Sequence, residues 1–198
     1  IDIDSVSGGS ASENGTQRVT ITINDDDSGP SLSINDVTTS NENAANATFT
    51  VTMSTTSSST VTVDYATSDG TATASSDYTA ASGTLTFSAG DTSKTFTVPV
   101  LADTVYETGN ETVTITLSNA SNATISDSTG ILTITDDDNA PTVTLTSSAS
   151  SVAENGSALT LTATLSNATT ANVSVGIATS GTGTEGTDYA TVSDITIS

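Results

Sequence analysis

Residues Ala47-Thr-Phe-Thr-Val-Thr-Met53 read ATFTVTM, with an apolar side chain at every odd position and threonine at every even one. In an extended chain successive side chains point to opposite faces, so this period of two describes a strand with one buried face and one hydroxylated, wet face. The same alternation recurs in Val61–Tyr65 (VTVDY), Thr84–Phe87 (TLTF), Thr95–Val100 (TFTVPV), Thr112–Leu117 (TVTITL) and Ile131–Ile134 (ILTI). β-Branched residues dominate these runs and favour strands. No stretch carries the 3.6-residue pattern of a helix, so the reading is an all-β chain.

Composition limits the chemistry. Of 198 residues, 23 are Asp or Glu and only Arg18 and Lys94 are basic, for a formal net charge of −21. Phosphate backbones are neutralised by basic footprints, so no nucleic-acid partner is expected. His and Cys are absent, which removes thiol nucleophiles, Ser-His triads and zinc sites built on those ligands. The remaining metal chemistry is oxygen ligation, which suits calcium first and magnesium second. No apolar run approaches the roughly 20 residues that span a bilayer, so membrane insertion of this segment is not expected. Low hydropathy with high net charge is also the signature of disorder, but the sustained period of two argues for a folded chain.

A repeat organises the strands. Asp25 and Asp136, Pro30 and Pro141, and the pair Asp77-Tyr78 and Asp188-Tyr189 are each 111 residues apart; Glu42-Asn43 returns as Glu154-Asn155 after 112. A period near 110 residues matches one β-sandwich domain. Residues 30–138 then form a complete unit, 1–27 correspond to the last two strands of a preceding one, and 141–198 to the first four of a following one. Such a chain is expected to be a window on a longer tandem array.

Within 30–138 seven strands are expected, at about 31–36, 47–53, 60–66, 83–87, 94–100, 112–118 and 129–135, named A to G. If successive strands run antiparallel, loops AB, CD and EF lie at the pole where strand G ends. Those loops hold Glu42, Asp69, Asp77, Asp103, Glu107 and Glu111, and strand G delivers Asp136, Asp137 and Asp138 to the same place. The opposite pole receives only Asp91 and Asp127. Two like charges 4 Å apart repel by about 1 kcal/mol in water and about 4 kcal/mol at an effective dielectric of 20, so the gathered acids call for a counterion. Calcium accepts six to eight oxygens in irregular geometry and turns that repulsion into binding energy. The alternative is a solvated acidic surface that serves solubility.

Glu42-Asn43, Val61–Asp103 (VTVDYATSDGTATASSDYTAASGTLTFSAGDTSKTFTVPVLAD), Asn110–Ser121 (NETVTITLSNAS) and the closing Asp-Asp-Asp resemble a Calx-beta domain, the module named after the regulatory domains of sodium/calcium exchangers. The resemblance runs through the central unit and both partial ones. It implies tandem seven-stranded immunoglobulin-like sandwiches in an elongated array, with Ca2+ held at the pole where strand G ends. The implied ligands are Glu42, Asp77, Asp103, Glu107, Asp136, Asp137 and Asp138, with Ala102 standing where the family pattern carries a further acid. In the flanking copies the matching residues are Asp25, Asp26 and Asp27, and Glu154 and Asp188.

Paired carboxylates such as Asp103 and Glu107 also occur in glycosidases, but those clefts are lined by aromatic side chains, and aromatics make up 4% of this chain. Tyr65, Tyr78, Phe87 and Phe96 read as core residues. Sequons at Asn14, Asn46, Asn110, Asn119, Asn122, Asn155, Asn167 and Asn172 are what a chain so rich in Ser and Thr produces by chance. The expected function is therefore non-enzymatic: a structural or adhesive repeat segment of a secreted, extracellular cell-surface or fibre protein, stiffened by calcium at its inter-domain junctions. Its expected partners are neighbouring repeats and a cell-surface or matrix ligand. The alternative is a calcium-sensing regulatory module of a larger membrane or secreted protein.

Overall fold

The computed structural model describes residues 21–22, 28–39, 41–43 and 46–198. The strands expected within residues 1–27 lie outside the described residues, apart from Ile21 and Thr22. Residues 30–138 fold into nine strands: β1 (Ser31–Ile34), β2 (Val37–Thr38), β3 (Ala47–Met53), β4 (Val61–Asp69), β5 (Ser82–Phe87), β6 (Ser93–Val98), β7 (Glu111–Ser121), β8 (Thr124–Ile125) and β9 (Thr129–Ile134). They form two sheets, ordered β6-β3-β1-β8 and β2-β9-β7-β4-β5. The protein is an all-β sandwich, with no helix among the described residues.

Alternation places the core as the sequence anticipates. In β3, Ala47, Phe49, Val51 and Met53 are buried while Thr48 and Thr52 face water. Val61, Val63, Phe87, Val98, Val113, Ile115 and Leu132 complete a continuous interior between the sheets. Phe96 of β6 stacks on Phe49 of the same sheet at a centroid separation of 5.5 Å and on Tyr65 of the facing sheet at 3.9 Å. That aromatic column ties the two layers together. Tyr78 is buried and donates its hydroxyl to Asp69 Oδ1 at 2.7 Å, which removes the cost of enclosing a phenol.

The first strand departs from the expected continuous run 31–36. It breaks after Ile34, so that β1 pairs in one sheet and β2 in the other. Asn and Asp side chains compete with backbone partners, which makes them natural crossover residues. Asn35 Oδ1 accepts the Thr50 N–H at 2.7 Å and Asp36 Oδ1 accepts the Ile131 N–H at 2.8 Å, each standing in for a carbonyl the ladder would otherwise supply. The crossover presses on β9 at Gly130, where a Cβ would lie 2.9 Å from the Asn35 carbonyl. The short β8 is also additional to the seven expected strands; Asn119 and Asn122, both with positive φ, turn the chain into it.

Residues 141–198 repeat the beginning of this architecture. β10 (Val143–Ser147) pairs with β11 (Leu161–Leu165), and β12 (Val173–Val175) with β13 (Ile195–Ile197), as β1 pairs with β3 and β4 with β5. None of these side chains is fully buried, and Val143, Leu145, Val152 and Leu159 are exposed. In the complete unit the equivalent apolar faces are closed by β6, β7 and β9, which have no counterpart among residues 141–198.

The layered core sets a measurable hierarchy. Phe49→Ala in the full chain should lower the unfolding free energy of the 30–138 unit by about 3–5 kcal/mol in urea titration, whereas Thr97→Ala, on the wet face of β6, should change it by no more than about 0.5 kcal/mol.

Candidate metal centre

The antiparallel order of the strands brings the β2–β3, β4–β5 and β6–β7 connections together at the end of the sandwich where β9 stops. The β4–β5 and β6–β7 connections are shaped by acids that accept main-chain hydrogen bonds, and the β2–β3 connection by a side-chain one. In the β4–β5 connection Asp77 Oδ2 accepts the Thr73 N–H at 2.6 Å, and Asp69 Oδ1 accepts the Ala74 N–H at 3.0 Å. In the β6–β7 connection Asp103 Oδ1 accepts the Val105 N–H at 2.7 Å, an Asx turn that aims the chain toward Tyr106 and Glu107. Asp136 uses both oxygens as braces, taking the Glu107 N–H at 3.0 Å and the Asp138 N–H at 2.9 Å. Asp137 Oδ2 accepts from Asn43 Nδ2 at 2.8 Å and ties the β2–β3 connection to the end of β9.

The carboxylates then fall into two groups. Glu42, Asp103 and Asp138 each place an oxygen within 4.8 Å of the other two, and Asp77, Glu107 and Glu111 do the same. Glu42 is 7% exposed, an unusual degree of burial for a carboxylate. Burial and the nearby Glu107 and Asp103 raise its pKa to about 7. Glu111 is likewise raised to about 7, by burial and by Asp77 and Glu107. Glu107 and Asp138 are also raised, first by burial and then by neighbouring carboxylates. Among the described residues no compensating cation reaches this pole: Lys94 is engaged 2.8 Å from Asp91, and Arg18 lies outside the described residues.

One oxygen in each group, Asp138 Oδ2 and Glu111 Oε2, is buried without a hydrogen-bond partner. Buried polar atoms are almost always satisfied, and three carboxylates within mutual reach, one of them with an orphaned oxygen, are a donor set for a hard divalent cation. The residues therefore fit calcium: Glu42, Asp103 and Asp138 would hold one ion, and Asp77, Glu107 and Glu111 a second.

Among the residues singled out from the sequence, Glu42, Asp77, Asp103, Glu107 and Asp138 enter the two groups. Asp136 and Asp137 stand beside them as hydrogen-bond acceptors and belong to neither. Glu111 was placed at this pole but not in the ligand set. Its signal was strand parity: 111, 113, 115 and 117 share a face of β7, and the last three are buried, so Glu111 points inward at the mouth of the sandwich. Asp25, Asp26 and Asp27 lie outside the described residues. Glu154 and Asp188 are exposed and line one groove of the 141–198 unit, but no three-carboxylate group forms there among the described residues. Residues equivalent to Asp103, Glu107 and Asp136–Asp138 are not part of 141–198. The local turn is nonetheless reproduced. Asp188 Oδ2 accepts the Thr184 N–H at 2.7 Å as Asp77 does Thr73, and Gly186, with a φ of 83°, repeats the 77° of Ser75.

The pole also touches the next unit. Tyr106 N–H donates to the Ala168 carbonyl at 3.0 Å, and the Thr170 N–H donates to the Tyr106 carbonyl at 3.2 Å. Asn167 Nδ2 donates to the carbonyl of Asn139, in the two-residue connection before Pro141, at 2.8 Å. The segment between β11 and β12 thus bonds to the residue immediately before Glu107.

Residues 25–138 match the Calx-beta domain family, and residues 136–196 match it again. Among solved structures, the apo-form Calx CBD1 domain is similar with a TM-score of 0.52 and 26% identity over 56% of this chain and 100% of that one. The CBD12 structure from CALX1.2 gives 0.51 and 28% identity over 54% of this chain; the match spans 44% of that chain. No curated protein matches the chain.

The raised carboxylates predict a pH dependence with a definite sign. Folded pKa values near 7 for Glu42 and Glu111, against an ordinary 4.5, mean that the metal-free fold takes up protons the unfolded chain does not. This contribution is fully present below about pH 4.5 and is lost as pH rises through about 7. Without metal, the melting temperature should therefore rise on acidification from pH 8 to 5, and Glu111→Gln should flatten the curve. A slope of the opposite sign would contradict the crowding described above.

Proposed function

The chain belongs to the Calx-beta family, and from that premise we propose that it is a non-enzymatic, calcium-binding segment of a tandem array whose bound ions stiffen the joint between modules. The observation that carries this reading is the pair of orphaned buried oxygens, Asp138 Oδ2 and Glu111 Oε2, one in each carboxylate group. Calcium ligation would satisfy both and offset the repulsion among six acids. The two family matches overlap at Asp136–Asp138, so the same aspartates close one module and open the next. The hydrogen bonds of Tyr106 to Ala168 and Thr170 support the coupling, because they link the loop that carries Glu107 to the following module.

A segment built this way serves a structural or adhesive protein at the cell surface or outside the cell. Its partners would be its own neighbouring repeats and a surface or matrix ligand. A second reading, a regulatory calcium-sensing module of a larger membrane or secreted protein, is favoured by the likeness to Calx CBD1. Membrane-spanning segments in the same polypeptide would favour this second reading.

Calcium titration tests the site. A ligand at a hundredfold excess over its Kd stabilises the folded state by about 2.7 kcal/mol, so millimolar calcium should raise the melting temperature of the full chain. Magnesium should do less, being smaller and reluctant to shed water. Asp138→Asn or Glu111→Gln should remove most of the gain and Asp91→Ala should leave it intact; an unchanged melting temperature in calcium refutes the site. Small-angle scattering tests the joint. The full chain should become less flexible in calcium than in chelator, and Tyr106→Pro, which deletes the N–H given to Ala168, should weaken that response.

A further inference from the structure

Among the described residues all strand pairings of the 30–138 unit are antiparallel except two, and both exceptions join its first two strands to its last two. β1 runs parallel to β8, with Ser31 opposite Thr124 and Leu32 opposite Ile125. β2 runs parallel to β9, with Val37 opposite Leu132 and Thr38 opposite Thr133. Tension applied to this unit through its neighbours enters before Ser31 and leaves after Ile134, at opposite poles. Two parallel strands pulled in this way, one from its start and the other from its end, slide along each other. The bonds between them are then loaded together and must fail together. An antiparallel pair pulled from adjacent ends opens one bond at a time, at lower force.

The contact is reinforced where it would slide. At its start, Asp36 Oδ1 accepts the Ile131 N–H at 2.8 Å. At its end, Thr39 is buried and forms a reciprocal knot with β9 and the residue that follows it. Its N–H donates to the Thr133 carbonyl at 2.9 Å, its Oγ1 accepts the Thr135 N–H at 3.1 Å, and Thr135 Oγ1 donates to the Thr39 carbonyl at 3.0 Å. A buried threonine hydroxyl contributes little to the apolar core, so these bonds are its evident role. We propose that β2, Thr39 and β9 through Thr135 form a mechanical clamp that resists extension of the module along the array. This deepens the array reading above, on which it rests for the direction of the force.

Single-molecule pulling of the full chain between residues 1 and 198, in chelator, tests the clamp independently of any metal. Unfolding of residues 30–138 is recognised by its length, since their extended span is roughly 360–390 Å at 3.3–3.6 Å per residue. Thr39→Val, which deletes the hydroxyl and leaves the Thr135 N–H unpaired, should speed unfolding at fixed force by about fivefold, the factor for one net hydrogen bond absent from the transition state. Thr84→Val, which removes a hydrogen bond to Asp64 on the antiparallel β4–β5 edge, should leave the rate within about twofold under the same force. Equal effects of the two substitutions would overturn the proposal. The chain has no native cysteine, so Ser59→Cys with Ser88→Cys supplies handles that pull β4 from β5 at one pole. This geometry should unfold the module at lower force than pulling from the ends, and equal or higher force would also overturn the clamp. A metal-independent clamp together with no calcium response in the melting experiment would refute the calcium reading alone.

Discussion

The structure turns on the crowding of carboxylates at one end of a sandwich that supplies no cation to meet them. Two groups of three acids converge with oxygens inside 4.8 Å, and charges at such separations repel by about 4 kcal/mol per pair at an effective dielectric of 20. The backbone holds them there regardless, because the loops are anchored from behind. Asp136 braces the β6–β7 connection, Asp137 holds Asn43, and Asp103 and Asp77 fix their own turns. The repulsion is thus enforced by the fold, and protons or a divalent cation must relieve it. Raised pKa values at Glu42 and Glu111 are the proton form of that relief.

Much of this arrangement was legible in the sequence, for a physical reason: sandwich strands alternate, and alternation fixes both the buried face and the pole to which each loop belongs. ATFTVTM gave β3 residue by residue, and counting strands sent Glu42, Asp77, Asp103, Glu107 and Asp138 to one end. The parts that were not legible depend on side chains that replace backbone. Asn35 and Asp36 break the first strand because their carboxamide and carboxylate take N–H groups from Thr50 and Ile131, and no period reveals a partner 95 residues away. Asp136 and Asp137 read as ligands because they are acids in the right run. The structure adds that they accept amide N–H groups, a role that depends on which way each side chain turns. Glu111 follows from parity once β7 is seen to begin there.

The repeat shows which features are local and which are collective. The turn at Asp77 reappears at Asp188 with the same main-chain bond and the same positive φ two residues before it, so that turn is written in about six residues. The carboxylate group does not reappear with it. A metal centre assembled from three connections and the end of a strand needs all of them in place, whereas an Asx turn needs only its own neighbours. The same reasoning explains why the apolar side chains of β10 and β11 are less buried than those of β1 and β3: burial requires both sheets.

Two of the three acids in the first carboxylate group stand just beyond the two strands of the clamp. Glu42 follows Thr39 by three residues, and Asp138 follows Thr135 by three, so the chain leaves the Thr39–Thr135 knot on both sides and meets again at the first carboxylate group. An ion held between Glu42 and Asp138 would cross-link the pair of strands that tension tries to slide, in parallel with the hydrogen bonds of β2 and β9. It would also engage Asp103, whose loop carries Tyr106 to the next module. On the readings proposed above, stiffness of the joint and resistance of the module to extension would draw on neighbouring residues of the same two stretches of chain. A joint that transmits force is useful only if the modules on either side can bear it, and in this chain the acids that would set the first stand three residues beyond the bonds that set the second.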